Sequence, residues 1–169
     1  MANPENKARE TLQTVGVTDA PVDVELVAKQ MGCKVMFQTL KSDLSGLLVN
    51  QPGKCLIGVN SHQSKTRQRF TIAHELGHYF FHDGLEQHVD QDFRIAWRNA
   101  DSSKAVNWTE IEANQFAAQL LMPTAFMQDD LNELQVIDKR AVLLLAGKYI
   151  VSREAMTIRL SQLGLTGPY

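Results

Sequence analysis

The chain changes its hydrophobic period twice. Residues Glu5 to Thr14 read as helical, and Val24 to Met31 as an amphipathic helix that Asp23 can cap and Gly32 can close. Three runs rich in strand formers follow, Cys33 to Leu40, Ser45 to Asn50 and Lys54 to Asn60, separated by Lys41-Ser42-Asp43 and Gln51-Pro52-Gly53. Pro52-Gly53 is a turn signal, so the last two runs should pair as a hairpin. The pattern predicts a small, mostly antiparallel sheet leading into a helix. Along that helix Phe70, Ile72, Ala73, Leu76, Tyr79, Phe80 and Phe81 leave little polar surface, so it should be largely buried.

Between His82 and Asn107 the periodicity fails and polar residues dominate. A loop of this length in a compact domain is usually functional or without fixed structure. Phe93, Ile95 and Trp97 alternate within it, so a short strand can interrupt it. Two readings stand: a lid near the mouth of a cleft, or an insertion with no role. Helical periodicity returns from Trp108, opened by Asn107 or Thr109, and stops at Pro123. It continues from Thr124 to Leu134, from Asp138 to Lys148 and, behind the cap Ser152, to Leu163. The fold class expected is α+β: a small, mostly antiparallel sheet packed on the buried helix, with a C-terminal helical subdomain. Residues 1–169 form a single domain, with a core over about 1–122 and the helical part over about 123–169. The last two helices have the outline of a helix-turn-helix. On them Arg153 and Arg159 are nearly the only basic residues of the second helix, so packing accounts for the piece better than a DNA reader does.

Composition narrows the function classes. With 44% hydrophobic residues, 21% charged and a net charge of −2 over 169 residues, the chain reads as one ordinary globular domain without general attraction to polyanions. Direct nucleic-acid binding is therefore not expected. The longest late apolar run, Ala141 to Ile150, is interrupted by Gly147-Lys148 and too short to span a bilayer. No secretory pattern is present, and two cysteines, Cys33 and Cys55, suit a reducing cytosol, so a cytoplasmic location is expected. Lys65, Arg67 and Arg69 at the entry of the apolar helix form either a solvated first turn or an anchor for a substrate carboxylate.

The chemistry is concentrated in Thr71-Ile72-Ala73-His74-Glu75-Leu76-Gly77-His78. Residues four apart lie on one helix face, so the imidazoles of His74 and His78 can converge on one metal ion, with Glu75 beside them as a base for water. Catalytic zinc takes three protein ligands and keeps one position open. The third ligand should come from the helix 108–123, which holds two glutamates on different faces. Glu110 shares a face with Ala113, Asn114, Ala117 and Leu121, whose alanines permit close approach to another helix. Glu112 shares a polar face with Gln115 and Gln119 that should meet water. Glu110 is the expected ligand, with Glu112 as the alternative. Asn114, one turn on, is a candidate to orient a ligand histidine, or a surface amide. His82 extends the line of His74 and His78, but the helix rises about 6 Å over four residues, so it supports the ligands or the core and does not join them. His62 and His88 have no partner pattern and are expected at the surface. Tyr79, His62, His88 or an arginine are the candidates to stabilise an oxyanion.

Taken together, Arg67-Gln-Arg69-Phe70-Thr71-Ile-Ala73-His74-Glu75-Leu-Gly-His78-Tyr-Phe-Phe-His82, Glu110-Ile-Glu-Ala113-Asn114-Gln-Phe116-Ala117 through Pro123, and Val151-Ser152 through Leu165 resemble the ImmA/IrrE-type metallopeptidases. So do Pro21-Val-Asp23-Val and Leu44-Ser-Gly46-Leu-Leu, and the resemblance spans about Pro21 to Leu165. It implies that the α+β fold is zincin-like, with the same third ligand, Glu110, in a gluzincin-like site. It also implies a zinc-dependent endopeptidase whose protein substrate is a helix-turn-helix repressor of a prophage, mobile element or stress regulon. The metal expected is Zn²⁺, with Mn²⁺ and Fe²⁺ compatible with the same ligand types. The rival reading is a metal-stabilised binding protein that sequesters such a regulator without cutting it.

Overall fold

A computed structural model describes residues 3–82, 87–91, 108–134 and 136–165. Asn107, the expected strand around Phe93, Ile95 and Trp97, and most of the expected lid lie outside these residues. Helix α1 (Pro4–Val15) is capped by Asn3, and α2 (Val24–Gln30) by Asp23, whose carboxylate accepts the Leu26 N–H. Strands β1 (Cys33–Gln38), β2 (Leu44–Gln51) and β3 (Lys54–Asn60) lead into α3 (Lys65–Phe81), which Ser64 caps. After β4 (Gln87–Gln91) come α4 (Trp108–Leu121), α5 (Thr124–Asn132), α6 (Lys139–Tyr149) and α7 (Arg153–Gln162).

The sheet has the order β1-β3-β2-β4. β2 and β3 form the expected antiparallel hairpin across Pro52-Gly53, where Gly53 takes the positive φ of +75° that a tight turn needs. β1 runs parallel to β3, and β4 runs antiparallel to β2, so two of the three pairings are antiparallel. The architecture is α+β, as the periodicity predicts. β4 was not expected, because its five residues, Gln-His-Val-Asp-Gln, hold a single apolar side chain. Its pairing is supplied by β2, which has a free edge to offer, and not by its own propensity. Among the described residues the outer strand on that side is therefore β4.

The parallel register places Cys33 opposite Cys55, and the two are joined in a disulfide. This departs from the expectation of thiols suited to a reducing compartment. Neither cysteine stands near the other in sequence, so only strand pairing brings them together.

One core joins the layers. Leu48, Ile57 and Val59 from the sheet meet Ile72, Ala73 and Leu76 of α3, and Phe116, Ala117, Leu120 and Leu121 of α4 continue it toward Met127, Tyr149, Met156 and Leu160. Every residue of α3 from Phe70 to His78 is buried. Of the basic residues at its entry, Lys65 is exposed, and Arg67 and Arg69 are tied to the protein itself. Arg67 donates from Nε and Nη2 to Ser45 Oγ at 3.2 and 2.7 Å, which pins β2 to the start of α3. Arg69 donates to the carbonyls of Val22 (2.8 Å) and Ile150 (3.2 Å). Burial pulls the Arg69 pKa down, against the opposing pull of Asp23 and Glu25. Ile150 closes α6 in the left-handed region at φ +51°, a strained position for a β-branched residue, and Arg69 holds its carbonyl there.

Candidate metal centre

The crossing of α3 and α4 builds the site. They approach closely at Gly77, where a Cβ would lie 2.7 Å from Ala113 Cα and 3.1 Å from Ala113 Cβ. Any larger residue at 77 would push the two helices apart. With Ala113 at the contact, the neighbouring residues of α4 reach different points along α3. Asn114 Oδ1 is 3.0 Å from His74 Nδ1, and Glu112 Oε2 is 3.4 Å from His82 Nε2. Glu110, one turn earlier, presents its carboxylate to both metal-type histidines.

His74 and His78 stand one turn apart, with ring centroids 4.6 Å from each other and their Nε2 atoms 3.0 Å apart. Glu110 Oε2 lies 3.3 Å from His74 Nε2, and Oε1 lies 3.2 Å from His78 Nε2. A tetrahedral ion with ligand bonds of about 2.05 Å has ligand-to-ligand edges of about 3.3 Å. The three separations match such an edge. The donor types, two imidazole nitrogens and a carboxylate oxygen, are those of a three-ligand catalytic site. His74, His78 and Glu110 are the one group of this kind among the described residues. Both imidazoles are fully buried, whereas the Glu110 side chain is 21% exposed, so the cluster meets solvent on the Glu110 side.

Glu75 is buried on α3 and faces β2. A Cβ on Gly46 would sit 3.5 Å from Glu75 Oε1, 2.3 Å from Thr71 Cγ2 and 3.0 Å from the Gly58 carbonyl oxygen. At Gly46 strand backbone therefore comes close to the candidate base. A glycine inside a strand is the signal for such an approach, and the sequence reading did not draw on it.

The other candidates distribute as follows. Asn114 is buried and touches His74. His82, the C-cap of α3, turns its Nδ1 to His78 Nδ1 at 3.1 Å. Glu112, a quarter exposed, does not simply face water: its carboxylate reaches His82. Gln119 is 7% exposed and held by Arg159 and Thr124, so of the polar face expected to meet water Gln115 is exposed, Glu112 is partly exposed and Gln119 is buried. Helical spacing sorts residues by face but does not say how far a neighbouring chain covers each face, and that is why the expectation failed. His62 is exposed, with its N–H on Asn60 Oδ1. Tyr79 packs beside Phe80 on the apolar core. The side chain of His88 lies outside what is described.

A family model described as the IrrE N-terminal-like domain matches residues 28–161. The metallopeptidase ImmA of Bacillus subtilis (strain 168) is 29% identical over 129 residues, which is 74% of this chain and 69% of that protein. A Mycobacterium tuberculosis transcriptional regulator has the same fold over 95% of this chain, with a TM-score of 0.66 at 20% identity. This chain spans 47% of that regulator's length.

Proposed function

This chain belongs to the IrrE N-terminal-like domain family of metallopeptidases, and from that premise we propose that it is a zinc-dependent endopeptidase acting on a helix-turn-helix repressor. The observation that carries the peptidase reading is the trio of Nε2 and carboxylate separations, 3.0, 3.2 and 3.3 Å, beside a buried glutamate. The repressor as substrate, and its prophage, mobile-element or stress regulon, rest on the resemblance to the ImmA/IrrE type. Such a substrate is a cytoplasmic protein, and the chain would act in the same compartment.

In this reading His74, His78 and Glu110 hold the ion, and Asn114 accepts the Nδ1–H of His74, which leaves its Nε2 lone pair for the metal. A bound divalent ion supplies Lewis acidity, polarising a carbonyl and making water more acidic. Glu75 is the proton carrier: its carboxylate takes a proton from the attacking water and delivers it to the leaving amine. Burial between α3 and β2 holds that carboxylate to one orientation. An extended peptide would add to the sheet along the outer edge of β4, where main-chain pairing positions it without regard to most side chains.

The test is incubation of the zinc-loaded protein with the repressor encoded beside it, wild type against Glu75→Gln. Fragments from wild type alone support the endopeptidase. Stoichiometric binding by both proteins with no fragments from either would replace it with the sequestering reading.

A further inference from the structure

Two carboxylates leave the first turns of α4, and only one is used by the site described above. Glu112 stands 3.4 Å from His82 Nε2, and His82 Nδ1 stands 3.1 Å from His78 Nδ1. We propose that Glu112 and His82 form a positioning relay that fixes the proton of His78 on Nδ1 and so holds its Nε2 lone pair toward the metal. The inference rests on the metal reading of His78.

Proton positions along the relay follow one from another. A neutral imidazole carries one N–H and one lone pair. If His78 gives its Nε2 lone pair to the ion, its proton is on Nδ1 and must be donated. The partner is His82 Nδ1, which can accept only if it carries no proton. The proton of His82 is then on Nε2, where it is donated to Glu112 Oε2. An ionised carboxylate can only accept, so the chain of donations ends there with one allowed direction, outward from the metal. Both ring nitrogens of His82 are engaged by this arrangement, which gives the residue a use other than ligation.

The two ligand histidines are thus oriented by different devices. His74 donates directly to an amide oxygen of Asn114, whereas His78 donates through a second imidazole to a carboxylate. A carboxylate at the end of the relay makes His78 the more basic donor. The side chain of His82 is 8% exposed and that of Glu112 is 25% exposed, so the relay runs from the buried ligand to the edge of the protein. Its placement depends on the helix end. His82 is the C-cap, with its N–H on His78 O at 3.1 Å, so the residue is held to the last turn of α3 while its ring leans across to α4.

The experiment uses the full chain as wild type, Glu112→Ala, Glu112→Gln and His82→Ala. Zinc affinity is read by competition with a chromophoric chelator, and imidazole tautomers by long-range proton–nitrogen NMR of the zinc-loaded wild type. The expected result is a loss of zinc affinity of about 10- to 100-fold in Glu112→Ala and His82→Ala. Glu112→Gln should recover most of it, because its amide oxygen accepts the same N–H. In the wild type, His78 should carry its proton on Nδ1 and His82 on Nε2. His82 protonated on Nδ1 in wild type that binds zinc, or equal affinity in Glu112→Ala, would overturn the relay and leave the metal site standing. A wild type that takes up no zinc would overturn both.

Discussion

Helix α4 serves two buried polar clusters, and they are built in opposite ways. At its C-terminal end Gln119 and the Met122 carbonyl meet Arg159, which is 3% exposed. The guanidinium donates to Met122 O at 3.1 Å, to Thr124 Oγ1 at 2.9 Å and to Gln119 Oε1, so a fixed cation faces neutral acceptors. Burial lowers the Arg159 pKa, with Glu5 pulling the other way. Toward the N-terminal end, the Glu110 carboxylate and the two Nε2 atoms, all of metal-ligand type, come together at 3.0 to 3.3 Å. One cluster contains its own positive charge. On the proposed reading, the other is completed by a positive charge from solution. The difference teaches that buried polarity alone does not mark a candidate site: what marks it is a set of ligand-type atoms converging on one point.

The sharpest break between the two clusters is metal removal. A strong chelator should abolish peptide-bond cleavage, and added zinc should restore it, with the Arg159 cluster unaffected as judged by retained helical circular dichroism. Cleavage that continues in the metal-free protein would end the comparison.

The next effect is expected from Gly46→Ala. Its methyl group must displace Thr71 or the Gly58 carbonyl and crowd Glu75. A displacement of this order at a reacting group costs about 100-fold in rate. We expect that loss in kcat/KM at unchanged zinc affinity, since the atoms nearest a Cβ at Gly46 belong to Thr71, Gly58 and Glu75, and none to His74, His78 or Glu110.

Arg159→Leu should do the reverse. The buried Met122 carbonyl loses its guanidinium donor and Gln119 Oε1 keeps only the Thr124 hydroxyl, for a stability cost of about 2 kcal/mol by urea unfolding, while zinc affinity and cleavage by the folded fraction stay as in wild type. A loss of zinc affinity in this variant would show that the clusters are coupled through α4.

The smallest effect on stability is expected for Gly77→Ala. Overpacking against Ala113 costs about 1–3 kcal/mol, and replacing a mid-helix glycine returns about 0.5–1 kcal/mol, leaving a net loss of about 1 kcal/mol. Because the helices must separate where Glu110 is carried, zinc affinity should fall more than stability does. Calorimetric titration with zinc, set beside thermal unfolding of the metal-free form, separates the two.

Much of this was legible residue by residue. Asp23 and Ser152 identify their helix starts because a short side-chain oxygen can reach the free N–H groups of the first turn. Pro52-Gly53 identifies the hairpin because few residues accept the required φ. Other features were not legible. β4 holds its place through a partner strand and lacks an apolar pattern of its own. Cys33 and Cys55 meet through a parallel register that no local signal announces. Gln119 looks like a surface residue until Arg159 is brought over it. The structural role of Arg69 depends on carbonyls from both ends of the chain, Val22 and Ile150.

By itself the sequence determined that His74 and His78 share one helix face with Glu75 beside them, because the helical repeat fixes those directions whatever surrounds them. It also placed two carboxylates on different faces of a second helix, which favoured Glu110 as the ligand and left Glu112 as the alternative. Only the tertiary structure assigned Glu110 to the two imidazoles and Glu112 to His82. The physical reason is that contacts between helices depend on where their axes cross, and that crossing is set by the absence of a side chain at Gly77 against the backbone of Ala113.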